Sequence, residues 1–262
     1  MHAFEALTLD VDGPVATLTL NRPERLNALT RQLLREIVRA CRVIDEELLD
    51  VKVMIVRGAG RSFSAGFDLN DFSTPEPGRT SRDTADLGRL AAEALTNVRA
   101  LTIAAVHGHC VGGGLVLAAS CDLRLASDAA RFSIPEVDLG IPLAWGGIPR
   151  LVREIGPALT KELVLTCRPF TPEEARSIRF LNEVVPESAL FNRASALATM
   201  LAEKPALSLR ITKQQVNAVM EEMGSTARNT IDGDVLTAAL ADPESRAASR
   251  SYLERRGGRR TT

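Results

Sequence analysis

Two short apolar runs, each followed by glycines, constrain the fold of this chain most strongly. Residues 51–56 precede Gly58 and Gly60, and Leu101–Val106 precedes Gly108. Continuous apolar runs of this length indicate strands that are buried on both faces, as in a parallel sheet. The glycines predict tight turns directly after both strands.

Strand and helix patterns alternate through about residue 150, which predicts an α/β fold. Further strands are predicted at Val15–Leu20, around Leu123 and Leu125, and around Phe132 and Ile134. Thr30 precedes a helical pattern that continues to Ile44. The later pattern is helical, at residues 157–166, after the cap residue Thr171, and at residues 189–203, 206–223 and 235–252. We place a boundary near residue 200, between a core (1–200) and a C-terminal helical region (201–262). Residues 73–86 are rich in Pro, Ser, Thr and charge, which predicts a mobile loop that could close over a site.

Composition excludes several classes of protein. The chain has 262 residues, 45% apolar and 25% charged, with a net charge of -1, so no overall basic field predicts binding to nucleic acid or an anionic membrane. The N-terminus carries acids rather than an apolar signal sequence, and no uncharged run approaches the roughly 18 residues of a membrane span. The four cysteines form no C-x-x-C pair and the three histidines no metal motif, which predicts reduced thiols, no metal site and a cytoplasmic location.

Three segments carry the candidate chemistry: Ser62 to Leu69, His107 to Leu115, and Ile134 to Gly140. A strand that ends in small residues before a helix presents backbone N–H groups, which the helix dipole makes more positive. Two such turns on either side of a cleft can hold an oxygen as it becomes negative. On the residues alone, the glycines at 112–114 serve equally well for close packing of a helix against a strand.

These segments, in this order and at this spacing, resemble the crotonase superfamily, which includes enoyl-CoA hydratases and isomerases. Residues 21–29, 141–151 and 204–213 share the resemblance, which covers about residues 5 to 250. It implies a β-β-α spiral core with a C-terminal helical region that forms homotrimers or hexamers made of two trimers. It also implies an acyl-CoA substrate, with coenzyme A as part of that substrate and no separate bound cofactor.

The resemblance also assigns site residues. Phe67 and Gly113 supply the backbone N–H groups of an oxyanion hole, and Glu136 is the catalytic acid/base. Val116 and Trp145 fall in the acyl pocket, where Trp145 either limits the chain length or is simply core. The remaining positions would bind coenzyme A: Leu26, Ala28, Ala65, Gly66, Asp68, Leu69 and Gly112.

The sequence departs from the hydratase pattern at Val116. Hydratases of the superfamily resemble one another in having a second glutamate there, and valine can neither accept nor donate a proton. Loss of one acid/base group weakens such chemistry on the order of 10²–10⁴-fold. Isomerisation of a 3-enoyl-CoA needs one carboxylate only, so we expect double-bond isomerisation with Glu136 as the proton shuttle.

Four other interpretations stay open at this point. They are hydration through Glu136 and an ordered water, thioester hydrolysis, decarboxylation, and a non-catalytic acyl-CoA binder. Glu136 itself could be an exposed loop acid, and Asp138 would share its face if both lay on a strand.

Overall fold

A mixed β-sheet organises the molecule and positions the predicted turns. The computed structural model describes residues 3–73, 76–226 and 231–258. Within these ranges the strands are β1 (Leu7–Asp12), β2 (Val15–Leu20), β3 (Val53–Gly58), β4 (Leu101–Val106), β5 (His109–Val111), β6 (Leu123–Ser127), β7 (Arg131–Ser133) and β8 (Glu183–Val185). Six of them pair in the order β1-β2-β3-β4-β6-β8, and β5 pairs with β7 in a smaller sheet. Strand β1 is antiparallel to β2, and the other neighbours are parallel.

The two central strands, β3 and β4, confirm the buried strands predicted from the apolar runs. One face of this pair, with Met54 and Ala104, lies in the core that also contains residues of α1 (Arg31–Glu46). The other face, with Ile55 and Ile103, packs against a second apolar layer. Because parallel strands end at the same edge of a sheet, the turns after β3 and β4 come to one edge.

Helices cover both faces of the sheet and form the C-terminal part. The described helices after α1 are α2 (Leu69–Ser73), α3 (Ser81–Asn97), α4 (Gly113–Ala119), α5 (Gly147–Thr166), α6 (Pro172–Ser177), α7 (Leu190–Ala202), α8 (Ala206–Met223), α9 (Asp232–Ala241) and α10 (Pro243–Gly258). Thr30 caps α1, since its Oγ1 accepts a hydrogen bond from the Leu33 amide at 3.2 Å. The α/β class expected from the sequence is confirmed.

The loop predicted over residues 73–86 is wrong for residues 81–86, which form the first turns of α3. Thr80 and Asp83 form a capping box that starts this helix, with Thr80 Oγ1 accepting from the Asp83 amide at 3.1 Å. Helix α3 packs against α1 and α9, so these residues are part of the packed structure rather than a free lid. A lid role for residues 76–80 stays a prediction, and residues 74 and 75 lie outside the described residues.

Two helix boundaries also differ from the sequence-based prediction. The single helix expected over residues 235–252 is two helices, because Pro243 cannot continue α9 and instead begins α10. Helix α5 is interrupted at Gly156, whose φ of 80° and ψ of 165° are not helical. Its second segment begins at Pro157 and confirms the helix predicted over residues 157–166, whereas its first segment, from Gly147, was not predicted. The domain boundary near residue 200 stays a prediction, and it falls in the last turn of α7. No helix within the described ranges has the length and apolar character needed to cross a membrane.

Candidate active site

The turns after β3 and β4 meet, as the strand topology requires. The amide of Val111 donates to the carbonyl of Ser64 at 3.0 Å, which joins the two turns as a short bridge. A Cβ built on Gly66 would lie 2.9 Å from the Val111 oxygen and 4.0 Å from the Gly113 nitrogen. The backbone between Gly66 and Phe67 therefore lies beside the start of α4. This brings the two predicted oxyanion positions, Phe67 and Gly113, to one place.

Gly113 is the first residue of α4, a helix whose residues are all buried. The first amides of a helix have no partner within it, and they carry the positive end of its dipole. Gly112 precedes the helix with φ 51° and ψ -119°, a conformation that a side chain strongly disfavours. The turn thus presents backbone donors without a capping side chain.

The peptide groups on both sides of Phe67 are fixed by Leu29. The Leu29 amide donates to the Gly66 carbonyl at 2.8 Å, and the Asp68 amide donates to the Leu29 carbonyl at 2.9 Å. The Phe67 side chain is partly exposed and meets the Trp145 ring edge-on, with centroids 5.7 Å apart. The orientation of the Phe67 peptide is therefore set by backbone pairing and does not depend on its side chain.

The positions predicted to bind coenzyme A come together from two distant segments. The Ala65 amide donates to the Leu26 carbonyl at 2.9 Å, which places the two segments side by side. Five of these residues are partly exposed, namely Leu26, Ala28, Ala65, Asp68 and Leu69, whereas Gly66 and Gly112 are buried. The structure groups these residues, and their contacts with substrate stay predictions.

Arg22, Asn27 and Ser64 support the site, and none of them was assigned a role from the sequence. Arg22 lies 3.3 Å from the Asp68 carboxylate and also donates to the Ala28 carbonyl at 2.5 Å. Ser64 Oγ donates to the Asn27 carbonyl at 2.9 Å and accepts from the Gly66 amide at 3.2 Å. These polar residues hold the first turn in place, and their occurrence inside the shared motifs is the signal that could have identified them.

Asn27 holds three backbone groups while being fully buried. Its side-chain nitrogen donates to the carbonyls of Ala59 and Ser62 at 2.8 and 2.7 Å. Its side-chain oxygen accepts from the Arg22 amide at 2.9 Å. Its φ is 53°, which asparagine tolerates better than most residues.

Glu136 lies in a turn rather than on a strand. The Leu139 and Ile141 amides both donate to the Glu136 carbonyl at 3.0 Å, which closes the turn. The suggestion that Asp138 shares a strand face with Glu136 is therefore wrong, and Asp138 is exposed. The Glu136 side chain faces the start of α4, because a Cβ built on Gly112 would overlap Glu136 Oε1.

The environment of the Glu136 carboxyl brings its pKa close to neutral pH. The residue as a whole is partly exposed, but its Oε2 is buried and makes no hydrogen bond among the described residues. Burial raises the pKa of Glu136 to about 7, opposed only in part by a backbone hydrogen bond within the residue. No neighbouring carboxylate is among the causes of this shift within the described residues. A carboxyl with this pKa can both take and return a proton at neutral pH.

Val116 and Trp145 form apolar surface beside the two turns. Val116 is 1% exposed and lies on α4, and its Cγ2 would be 3.0 Å from a Cβ on Gly147. Trp145 is 6% exposed, and its ring lies against Gly113 so closely that a Cβ there would overlap it. Both side chains are buried, so apolar groups pack around α4 beside Gly113 and Gly147.

The four cysteines are free and buried, as expected. Within the described ranges, no three histidine, cysteine, aspartate or glutamate side chains are grouped so that they could hold a metal ion.

Comparisons with known proteins identify the family. A model described as Enoyl-CoA hydratase/isomerase matches residues 10–259. A probable enoyl-CoA hydratase of Mycobacterium tuberculosis is 37% identical over 220 residues, 83% of each chain. The peroxisomal Delta(3,5)-Delta(2,4)-dienoyl-CoA isomerase of Arabidopsis thaliana is 36% identical over 222 residues, 80% of each chain.

A solved structure of a probable enoyl-CoA hydratase from Mycobacterium thermoresistibile matches the fold with a TM-score of 0.80 at 33% identity. The match covers 93% of this chain and 97% of that one, so the crotonase-like core expected from the resemblance is confirmed. Family model, relatives and fold agree over nearly the whole length, and the chain is an enzyme of the enoyl-CoA hydratase/isomerase family.

Proposed function

We propose that this enzyme moves the double bond of an enoyl-CoA thioester, with Glu136 as a single proton shuttle. The observation that carries the proposal is the Glu136 carboxyl, which faces the start of α4 and whose buried Oε2 has no hydrogen-bond partner among the described residues. Val116 stands where hydratases of this family place a second glutamate by resemblance, and it is a buried apolar residue here.

The proposed reaction needs one carboxylate, which removes a proton and later returns it. Glu136 removes a proton from C2 of the 3-enoyl-CoA, and the electrons delocalise into the thioester oxygen. The backbone N–H groups of Phe67 and Gly113 stabilise that dienolate oxygen. Glu136 then returns the proton to C4, which gives the 2-enoyl-CoA isomer with no other reactant. The apolar surface of Val116 favours this outcome, because it disfavours water beside the intermediate.

Hydration is the second candidate, because several of the proteins that this chain resembles are named hydratases. One is named a dienoyl-CoA isomerase. In this chain hydration would depend on Glu136 and an ordered water. We expect it to be slower than with two glutamates by on the order of 10²–10⁴-fold. Thioester hydrolysis, decarboxylation and acyl-CoA binding without catalysis are further alternatives for the same site.

In this proposal coenzyme A takes part only as a component of the substrate. Coenzyme A binds as part of the substrate along the residues Leu26, Ala28, Ala65, Gly66, Asp68, Leu69 and Gly112, with Val116 and Trp145 lining the acyl pocket. The mechanism needs no resident cofactor or metal. The buried, reduced cysteines favour a reducing compartment, so we assign the enzyme to the cytoplasm.

We further propose a homotrimer, or a hexamer of two trimers, assembled through the C-terminal helices. Helix α8 supports this proposal, because it exposes apolar side chains such as Leu207 (62% exposed) and Met223 (70% exposed). Exposed apolar surface of this kind favours an interface between subunits. Sedimentation of the wild-type protein and of Met223→Lys tests it, since a charge at that position should lower the oligomer mass.

Two thioesters separate the candidate reactions. Purified enzyme should convert 3-hexenoyl-CoA to its 2-enoyl isomer, and Glu136→Gln should abolish most of this activity. Rapid hydration of crotonyl-CoA that persists in Glu136→Gln would contradict the proposal. Tight binding of both thioesters without turnover would instead support a non-catalytic binder.

A further inference from the structure

The indole of Trp145 is seated in a recess formed by two glycines from different helices. A Cβ built on Gly88 of α3 or on Gly113 of α4 would overlap the ring. The Phe67 ring meets the indole edge-on with centroids 5.7 Å apart. Any side chain at position 88 would therefore exclude Trp145 from its present place. The position of the ring therefore depends on glycine at position 88.

The backbone that carries this ring is also held in an unusual conformation. Trp145 has φ 62°, a region that large residues rarely adopt. Arg150, itself buried, donates to the carbonyls of Trp145 and Gly146 at 3.3 and 3.1 Å. Asp232 of α9 accepts from the Gly146 amide at 2.8 Å. Groups from α5 and α9 thus fix a turn whose conformation is unfavourable by itself.

The enforced backbone conformation points to a role for Trp145 beyond filling the core. Many apolar side chains could fill a core position on an ordinary backbone, whereas unfavourable backbone conformations persist where the surroundings enforce them, often at functional sites. The enforced result is a rigid aromatic wall directly against Gly113, one of the two proposed oxyanion donors.

The position of the wall relative to Glu136 suggests what it does. Glu136 contacts the Gly112 side of the α4 turn, and Trp145 contacts the Gly113 side. In the proposed reaction, C2 to C4 of the acyl group must lie within reach of Glu136. An acyl chain that continued beyond these atoms on the Gly113 side would meet the Trp145 ring, which lies against Gly113, and the Phe67 ring beside it.

We propose that Trp145, seated on Gly88, closes the acyl pocket and restricts the enzyme to short-chain acyl-CoA thioesters. This inference rests on the proposed function, because it uses the same site and the same orientation of the thioester. It adds a specificity-determining pair, Trp145 and Gly88, of which Gly88 lies in a helix that the sequence did not predict.

Binding of saturated thioesters tests the inference without relying on turnover. Isothermal titration with butyryl-CoA and decanoyl-CoA should show that the wild type prefers the short chain. Trp145→Gly, which also relieves the positive φ, should shift the ratio of decanoyl-CoA to butyryl-CoA affinity toward the long chain by about tenfold or more. Trp145→Phe should lie between the two, and it serves as the test if the glycine variant fails to fold.

Phe180→Leu provides the matched control. It shortens a buried aromatic side chain that packs on Phe132, outside the proposed pocket, and should leave the chain-length preference unchanged. A wild type that binds both thioesters equally, or folded Trp145 variants with an unchanged preference, would overturn the inference.

Turnover distinguishes this failure from failure of the proposed function. If 3-hexenoyl-CoA is not isomerised but Trp145→Gly still gains decanoyl-CoA binding, the proposed reaction is wrong and the wall is supported. If isomerisation is rapid and depends on Glu136 while the chain-length preference of the variants stays unchanged, the wall is wrong and the reaction is supported.

Discussion

The two turns that meet at the site are held in place by different forces. The first, after β3, is fixed by polar side chains: Asn27 and Ser64 bond its backbone, and Arg22 pairs with Asp68. The second, at the start of α4, has no side-chain cap and is fixed by close packing at glycines. The first turn should therefore be sensitive to removal of polar groups, and the second to added atoms. Glu136 faces the second turn, and its buried Oε2 makes no hydrogen bond among the described residues.

The largest effect is expected at Glu136, where the second turn meets the chemistry. Glu136→Gln keeps the size of the side chain but cannot accept the proton, so kcat for isomerisation should fall on the order of 10²–10⁴-fold. KM should change little, because the oxyanion donors are backbone groups. Steady-state kinetics with 3-hexenoyl-CoA measures both constants.

Asp138→Asn is the matched control for this variant, since it removes a nearby carboxylate that is exposed. Its kcat should stay close to that of the wild type. The wild-type rate should also rise with pH through about 7, because the base must be ionised and burial raises the pKa of Glu136 to about 7. A rate independent of pH between 5 and 9 would argue against Glu136 as the base.

Removal of the amide at Asn27 should destabilise the first turn strongly. Asn27→Ala removes the side-chain partner of the buried Ser62 carbonyl and of the partly buried Ala59 carbonyl and Arg22 amide. A buried unpaired group costs about 1–3 kcal/mol and a partly buried one less, so the free energy of unfolding should fall by about 2–4 kcal/mol. Urea unfolding followed by circular dichroism measures this change.

Asn217→Ala gives the comparison, because Asn217 is only partly buried and its side chain donates one hydrogen bond among the described residues, to the Thr96 carbonyl at 3.1 Å. Its cost should be about 1 kcal/mol. Equal costs for the two variants would show that polar contacts do not hold the first turn as we describe.

Burial of Glu136 should also make stability depend on pH, with a sign opposite to that of a paired carboxylate. The folded pKa of about 7 lies above the ordinary glutamate pKa of 4.5, so between these values the folded state binds more protons than the unfolded one. The free energy of unfolding should therefore fall as pH rises from about 4.5 to 7, by at most about 3 kcal/mol. Chemical unfolding at pH 5 and pH 8 should show the fall in the wild type and a smaller one in Glu136→Gln.

The sequence predicted the parts of the fold that are marked by long apolar runs and glycines. Strands β3 and β4 and the turns after them follow from such runs, and the resemblance added Phe67, Gly113 and Glu136. Strand β1 was missed because it lies at the edge of the sheet and most of its side chains are at least partly exposed. An edge strand carries only a weak apolar signal, so periodicity does not reveal it.

Helix α3 was missed for a different reason, which also hid Gly88, the residue that we propose as the seat of the Trp145 ring. Its buried face consists mostly of small residues, namely Ala85, Gly88, Ala91 and Ala92, with Leu95 the one large apolar residue among them. Small residues differ little in hydrophobicity from the polar residues around them, so the helical pattern in the sequence is weak. Their small size nevertheless allows Trp145 to approach closely. The resemblance implied that Trp145 lies in the acyl pocket, and that position stays a prediction, whereas its contact with Gly88 could be identified only from three-dimensional packing.

The smallest effect is expected where α3 meets this ring. Gly88→Ala adds a methyl group that overlaps the Trp145 indole, so the ring or the helix must move. Overpacking of this kind costs about 1–3 kcal/mol, and the higher helix propensity of alanine returns up to about 1 kcal/mol. We expect a net loss of about 1–2 kcal/mol in the free energy of unfolding, measured by urea denaturation.

Gly224→Ala adds the same methyl group at the end of α8, where its nearest contact is 3.9 Å away, and should be neutral or slightly stabilising. Equal tolerance of alanine at both glycines would show that packing at Gly88 does not fix the Trp145 ring. The claim that close packing at glycines holds the second turn would then be wrong.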